Sequence, residues 1–126
     1  MATRSHIGKQ LEDGSISYIY CHWDGYPEHN GKILKEHYTD EAKVDALLEL
    51  GSLSILGEEI GEQQDFDNRD TRNEKWCLAY GRDRGEKDVE AKVAESLSDM
   101  IWQAYHYVWS NGEWHCYDYS GREIKF

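Results

Sequence analysis

The chain has 126 residues, with 25 acidic and 14 basic side chains and a formal net charge of −11. This length is most simply one domain, and an aromatic content of 13% favours a folded chain. So acidic a surface repels phosphate backbones and argues against general nucleic-acid binding. Three cysteines without CxxC spacing argue against a disulfide framework or a structural zinc site. Since no signal peptide or long apolar segment is recognisable, we expect a soluble, cytoplasmic protein with no membrane partner.

The first part of the chain is predicted to form a β-hairpin followed by two helices. Asp13-Gly14 is a favoured hairpin dipeptide, and it separates the predicted strands Ser5–Gln10 and Ser15–Cys21. Apolar residues on one stripe predict a short helix over Asn30–Tyr38. A second helix is predicted over Thr39–Leu50, because a threonine cap is followed by two acids in the first turn.

The second part is predicted to contain a loop, a strand, a third helix and a second hairpin. The predicted elements are a mobile loop Glu62–Lys75, a strand Trp76–Tyr80, a charged loop Gly81–Lys87, a helix Val89–Trp102, and strands Tyr105–Trp109 and Glu113–Tyr119. Asn-Gly between the last two strands is the strongest short hairpin signal. The expected fold is α+β, with residues 1–126 forming one domain. A small antiparallel sheet, made of both hairpins and a middle strand, carries about three helices on one face.

The block Tyr20–Gly31 has the most unusual composition in the chain. Its sequence, YCHWDGYPEHNG, contains three aromatic residues, two histidines, two acids and the only proline. Turns need Gly, Pro, Asn or Asp for backbone reasons, but not the aromatic and ionisable side chains beside them here. Loops rich in such side chains often carry binding sites. The block therefore predicts a ligand site that includes Trp23, Asp24 and Tyr26.

Several segments together resemble one known protein family. They are Thr3–Gly8, the block Tyr20–Gly31, Leu34, His37-Tyr38 and Tyr80–Glu86. The pattern is similar to that of small, mostly uncharacterised proteins encoded by bacteriophages, prophages and mobile elements, and it covers nearly the whole chain. His6 stands where many members have Asn. The resemblance implies a phage-type origin, and hence the cytosol of a bacterial host, but it carries over no catalytic residue.

The histidines of the block raise a metal-site hypothesis. His22, Asp24 and His29 are close in sequence, and imidazole and carboxylate are good ligands for zinc or manganese. The spacing matches no strong motif, and local hydrogen bonds would explain the same residues. Cys21 and His22 are adjacent on a strand, so they point to opposite faces and do not form a nucleophile–base pair.

A second candidate site is the turn that contains Arg82 and Arg84. Two guanidinium groups between glycines can hold a phosphate in bidentate fashion. The alternative is that Asp83 and Glu86 neutralise them within the turn. Trp76 and the tryptophans of the second hairpin could stack on a flat ligand, although core packing explains such residues equally well.

The acidic residues of the second helix and the segment after it raise a third hypothesis, imitation of nucleic acid against a basic partner. They are Asp40, Glu41, Asp45, Glu49, Glu58, Glu59 and Glu62. The sequence favours binding over catalysis and indicates no cofactor. Together with the resemblance, this predicts a phage-type accessory protein that antagonises a bacterial antiviral defence system. It would sequester a nucleotide signal or inhibit a defence nuclease such as a CRISPR effector. A metal-dependent hydrolase of a phosphate-containing substrate is the alternative, and the many Tyr and Trp residues are compatible with a homo-oligomer.

Overall fold

The computed structural model describes residues 3–126, so Met1 and Ala2 of the predicted domain lie outside the described residues. The strands are β1 Ser5–Gln10, β2 Ile16–Trp23, β3 Leu53–Ile55, β4 Leu78–Ala79, β5 Lys92–Ala94, β6 Tyr105–Ser110, β7 Glu113–Asp118 and β8 Glu123–Ile124. The α-helices are α1 Lys32–His37, α2 Glu41–Glu49 and α3 Tyr80–Arg84. A π-helical turn Pro27–Gly31 precedes α1, and 3₁₀ turns lie at Arg69–Thr71 and Leu97–Asp99.

Eight strands within residues 3–126 form one mixed sheet; seven follow the order β4-β3-β2-β1-β6-β7-β8, and β5 pairs with β2 outside this order. The edge of β2 that faces away from β1 is shared by two partners. β5 pairs antiparallel with Ile16–Tyr18, and β3 pairs parallel with the end of β2, where Cys21 lies opposite Leu53 and Trp23 opposite Ile55. Both predicted hairpins are present, as β1–β2 and β6–β7.

The prediction of an antiparallel sheet is only partly correct, because the two hairpins join in parallel. β1 runs parallel to β6, with His6 opposite His106 and Ile7 opposite Tyr107. A turn dipeptide fixes the pairing inside its own hairpin but carries no information on how two distant hairpins dock. The α+β class is correct, and the sheet is larger than expected.

The core lies mainly between the sheet and the helices α1 and α2. α2 contacts β1 and β2, and α1 contacts β7. Asp40 caps α2, its carboxylate accepting a hydrogen bond from the Lys43 backbone N–H at 2.9 Å. The larger apolar cluster includes Ile7, Ile19 and Tyr107 from the sheet, each 2% exposed or less.

The segment 89–102 is not a helix, so that prediction was wrong. β5 pairs with β2, and Leu97–Asp99 forms only a single 3₁₀ turn. Ala94 and Met100 are buried against the sheet face opposite α2, but Val93 is 63% exposed. The free edge of β2 supplies backbone partners that outweigh the helix-like spacing of the apolar residues.

Two shorter predictions in the middle of the chain also need correction. The strand predicted over Trp76–Tyr80 is reduced to Leu78–Ala79, and the charged loop predicted over Gly81–Lys87 begins as helix α3. Gly85, at φ +76, ends this helix in the left-handed conformation that glycine favours. Among the described residues, no helix is long and apolar enough to span a membrane.

Candidate functional site

The block Tyr20–Gly31 is held together around the side chain of Asn30, which is fully buried. Its amide nitrogen donates to the Trp23 carbonyl at 3.3 Å and lies within hydrogen-bonding distance of Ser5 Oγ and Cys21 Sγ. Its amide oxygen lies 2.9 Å from Nδ1 of His29. One buried amide thus connects β1, the end of β2 and the π-helical turn.

Gly25 ties the same block to the residues before β1 and to β6. Its N–H donates to the Thr3 carbonyl at 2.7 Å, and its carbonyl accepts the hydroxyl of Tyr107 at 2.6 Å. A Cβ at position 25 would lie 2.7 Å from the Ser5 Cβ, so no larger residue fits without movement. We call this arrangement around Gly25 and Asn30 the loop clasp. It gives much of the unusual block a structural role.

The predicted ligand residues of the block lie at the surface of the clasp. Trp23 is 39% and Tyr26 is 38% exposed, while Asp24 is half-buried. The Trp23 ring packs edge-on against His22, and the Tyr26 ring lies beside His29. None of the three residues lines any of the three cavities outlined below. Ligand binding by Trp23, Asp24 and Tyr26 stays a prediction.

The structure does not bring His22, Asp24 and His29 together as a metal-binding group. Nδ1 of His22 lies 2.6 Å from the Tyr20 hydroxyl, and Nδ1 of His29 lies 2.9 Å from the side-chain oxygen of Asn30. Across residues 3–126, no three side chains of His, Cys, Asp or Glu are arranged to hold a metal ion. The thiol of Cys21 is fully buried, and burial raises its pKa to about 12. That thiol is therefore a poor nucleophile at neutral pH.

The two arginines predicted to bind an anion have internal partners. Arg82 donates to the carbonyls of Ile60 and Cys77 at 2.7 Å each and to the carboxylate of Asp83 at 3.0 Å. Arg84 pairs with Glu86, and its guanidinium lies 4.6 Å from the centre of the Phe66 ring. Asp83 is 9% exposed, so Arg82 neutralises a buried charge. These contacts match the alternative that Asp83 and Glu86 neutralise the two arginines within the turn. Anion binding by Arg82 and Arg84 stays a prediction.

The acidic residues proposed to meet a basic partner differ in their local contacts. Glu41 and Asp45 each lie 2.8 Å from Nζ of Lys9, and Glu58 lies 3.3 Å from Nε2 of His37. Asp40 is the α2 cap described above. The remaining three, Glu49, Glu59 and Glu62, are exposed and form no ion pair within the described part of the chain.

A cavity of about 340 Å³ lies beside the segment that was predicted to be a mobile loop. We call it the arginine cavity. Its polar lining consists of Gln64, Arg69, Arg72, Asn73 and Glu74, with Trp76 beside them and Ile55 and Leu78 as apolar residues. Within residues 3–126, the side chains of Arg69 and Arg72 form neither an ion pair nor a hydrogen bond. Two guanidinium groups without protein partners therefore border one cavity.

Gln64 holds the wall of the arginine cavity in place. Its backbone N–H donates to the carboxylate of Asp83 at 2.9 Å, and its side-chain amide donates to the Cys77 carbonyl at 3.1 Å. Its side-chain oxygen accepts the N–H of Asn73 at 2.9 Å. Arg82 donates to the same carboxylate, so Gln64 and Arg82 share Asp83 as an acceptor.

The indole of Trp76 is fixed on one side by the backbone at Gly61. A Cβ at position 61 would lie 2.2 Å from Cγ of the indole, and the φ angle of +71 also favours glycine there. Trp76 is half-buried and lines the arginine cavity. An aromatic surface and two free cations thus border the same space.

A larger cavity, of about 490 Å³, lies between α1, β7 and the C-terminal residues. Aromatic side chains from Tyr38, Trp114 and Phe126 contribute to its lining. The indole N–H of Trp114 donates to the Tyr38 carbonyl at 2.8 Å, and Lys35 donates to the Phe126 carbonyl. Because these groups already have partners, this cavity offers fewer free groups to a ligand than the arginine cavity.

A third cavity, of about 270 Å³, borders a buried pair of histidines. His6 lines it, and its Nδ1 lies 2.9 Å from the Met100 carbonyl. The His6 and His106 ring centres are 5.3 Å apart, and both nitrogens of the fully buried His106 lack a hydrogen-bond partner within residues 3–126. Burial is the main reason that the pKa of each imidazole falls to about 4. Both rings are therefore neutral at physiological pH.

Sequence reasoning missed Arg69 and Arg72 because their segment was predicted to be a mobile loop. The available signal was two arginines three residues apart, followed closely by a tryptophan. Trp76 itself was recognised as a candidate for stacking. No family model, no curated protein and no solved structure matches this chain, so the candidate site depends on the geometry described above.

Proposed function

We propose that this chain is a binding protein that sequesters a small phosphate-containing molecule with a flat ring. The arginine cavity supports the proposal, because Arg69 and Arg72 border it without protein partners and Trp76 offers an aromatic surface. Guanidinium groups match phosphate oxygens in bidentate fashion, and aromatic side chains stack on nucleobases. A volume of about 340 Å³ falls at the lower end of the roughly 300–1,000 Å³ range of small-molecule sites. A mononucleotide is a suitable ligand class.

The acidic surface is compatible with a local anion site. At physiological ionic strength, charges further apart than about 8 Å are largely screened from one another. The arginine cavity is bordered by two cationic side chains and one carboxylate, from Glu74. Among the lining residues, cations therefore outnumber carboxylates two to one although the net charge of the chain is −11.

The biological context of the proposal comes from the family resemblance. An accessory protein of phage type would act in the cytosol of a bacterial host. There, removal of a nucleotide signal would antagonise an antiviral defence system. This role needs stoichiometric binding and no turnover. A metal-dependent hydrolase of a phosphate-containing substrate stays the alternative.

Isothermal titration with a panel of nucleoside monophosphates tests the proposal. Wild-type protein should bind at least one of them, and Arg69→Gln and Arg72→Gln should each weaken binding at least ten-fold. Arg122→Gln is the matched control, because it removes the same charge from the turn between β7 and β8, at the opposite edge of the sheet from β4. If no nucleotide binds, or if all three variants bind as the wild type does, the arginine cavity is not the site.

Inhibition of a basic defence protein is the second candidate. It is favoured by the net charge of −11 and by the three exposed, unpaired acids Glu49, Glu59 and Glu62. The triple substitution of these residues by Gln should weaken binding to a positively charged nuclease, but it should leave nucleotide affinity unchanged. The two candidates are therefore separable with one set of variants.

A further inference from the structure

Glu74 borders the arginine cavity with a free carboxylate. The side chain is exposed, and among residues 3–126 it pairs with neither Arg69 nor Arg72 nor any other cation. Opposite charges that share a cavity without pairing leave both signs available to a ligand. The ligand that satisfies them has an anionic part for the arginines and a hydrogen-bond donor part for the carboxylate.

The turn that carries Glu74 is fixed at both ends. The Trp76 N–H donates to the Asn73 carbonyl at 3.1 Å, and the Lys75 N–H donates to the Asn73 side chain at 3.0 Å. The Glu59 N–H donates to the Lys75 carbonyl at 2.9 Å, which ties the turn to the neighbouring segment. Glu74 and Trp76 therefore lie in one short turn, with the carboxylate and the indole at the same cavity.

We infer that the arginine cavity selects guanine among the nucleobases, an inference that rests on the proposed function. The Watson–Crick edge of guanine presents two adjacent donors, N1–H and the N2 amino group. Both can donate to the two oxygens of one carboxylate while the ring stacks on Trp76 and the phosphate meets Arg69 and Arg72. Adenine and cytosine each present one amino group beside a ring-nitrogen acceptor, which would face a carboxylate oxygen with no proton between them. Uracil has a single N–H donor, flanked by two acceptors.

Competition among four ligands tests this selectivity without changing the protein. GMP should bind at least ten-fold more tightly than AMP, because hydrogen bonds to charged groups are among the stronger ones in proteins. IMP, which lacks the N2 amino group and so retains one of the two bonds, should bind with intermediate affinity. CMP should resemble AMP. Equal affinities for GMP and AMP would overturn the guanine inference and leave the proposed function standing.

Glu74→Gln should abolish the preference for guanine. A glutamine amide donates as well as accepts, so it can pair with the amino group and N1 of adenine and equally with O6 and N1–H of guanine, but it has lost the second acceptor oxygen that faces both donors of guanine. The variant should bind GMP at least ten-fold more weakly than wild-type protein does, and its affinities for GMP and AMP should be similar. Glu12→Gln is the matched control, because it removes an exposed carboxylate from the turn between β1 and β2, and it should leave the GMP-to-AMP ratio unchanged.

The outcomes distinguish guanine selection by Glu74 from nucleotide binding as such. A GMP-to-AMP preference that is lost only in Glu74→Gln supports guanine selection by this carboxylate. A wild-type preference for GMP that persists in Glu74→Gln overturns the role of Glu74. Failure of all four nucleotides to bind wild-type protein overturns the guanine inference together with nucleotide binding. Glu74 is exposed, so thermal melting of the variant should match that of wild-type protein and confirm that it is folded.

Discussion

Acidification should destabilise this protein because His6 and His106 are buried side by side in their neutral forms. The pKa of each falls from 6.5 to about 4 on folding. For His6, burial lowers the pKa most, followed by the charge of the neighbouring His106. The hydrogen bond to the Met100 carbonyl raises the pKa and partly offsets them, and the charge of Lys92 lowers it again by the smallest amount. For His106 the leading cause is burial. Protonation would therefore place charge on adjacent imidazoles that have little access to water.

The size of the effect follows from proton linkage. Because the folded-state pKa is the lower one, the unfolded chain binds more protons between pH 6.5 and about pH 4, and stability falls as pH falls through that window. A pKa difference of one unit corresponds to roughly 1.4 kcal/mol. Between about pH 7.5 and about pH 5, each histidine should remove roughly 2 kcal/mol from the free energy of unfolding. The two together should remove about 4 kcal/mol, a large share of the stability of a small domain.

Urea denaturation at a series of pH values measures this loss. His6→Asn removes one of the two titrating groups, so the decrease over the same pH range should fall to about half, roughly 2 kcal/mol. A variant that also carries His106→Gln should lose most of the remaining dependence. A free energy of unfolding that changes by less than about 1 kcal/mol in wild-type protein would refute the reasoning. So would an unchanged slope in His6→Asn.

Four further substitutions test the structural roles assigned above. Asn30→Ala should lower the free energy of unfolding by about 2–3 kcal/mol in chemical denaturation, since it leaves buried partners of the loop clasp unsatisfied; a loss below about 0.5 kcal/mol would contradict that role. Arg82→Gln should cost about 3–5 kcal/mol because it leaves a buried carboxylate uncompensated. Arg84→Gln removes an exposed ion pair and the contact of the guanidinium with the Phe66 and Tyr80 rings, which together should cost about 1–2 kcal/mol. Similar melting temperatures for the two variants would therefore argue against the distinction. Gly61→Ala should displace the Trp76 indole, change the tryptophan fluorescence and weaken nucleotide binding; an unchanged spectrum with unchanged affinity would show that the backbone does not hold the ring.

The candidate site shows where sequence reasoning reached its limit. The unusual composition of Tyr20–Gly31 was recognisable and was interpreted as a ligand site. The structural role of Asn30 was not recognisable, because its partners Ser5 and Cys21 are 25 and 9 residues away in the chain. Arg82 was recognised as a candidate anion ligand, yet one of its acceptors is a carbonyl 22 residues distant. Whether a polar side chain is free or already paired depends on such distant contacts. The free arginines of the arginine cavity could be recognised only once these contacts were known.

Local chemistry by itself determined both hairpins and the position of α2, although the residue that caps α2 is Asp40 and not the predicted Thr39. Asp13-Gly14 and Asn111-Gly112 define their turns because the backbone conformations they favour suit two adjacent strands, and φ is positive at Gly14, Asn111 and Gly112. Tertiary structure decided the rest. The parallel pairing of β1 with β6 joins residues about a hundred positions apart, and segment 89–102 became a strand and a 3₁₀ turn because β2 had an open edge. Turn and cap preferences act over a few residues and are written in the sequence, whereas docking and edge pairing depend on surfaces that exist only once those elements have formed.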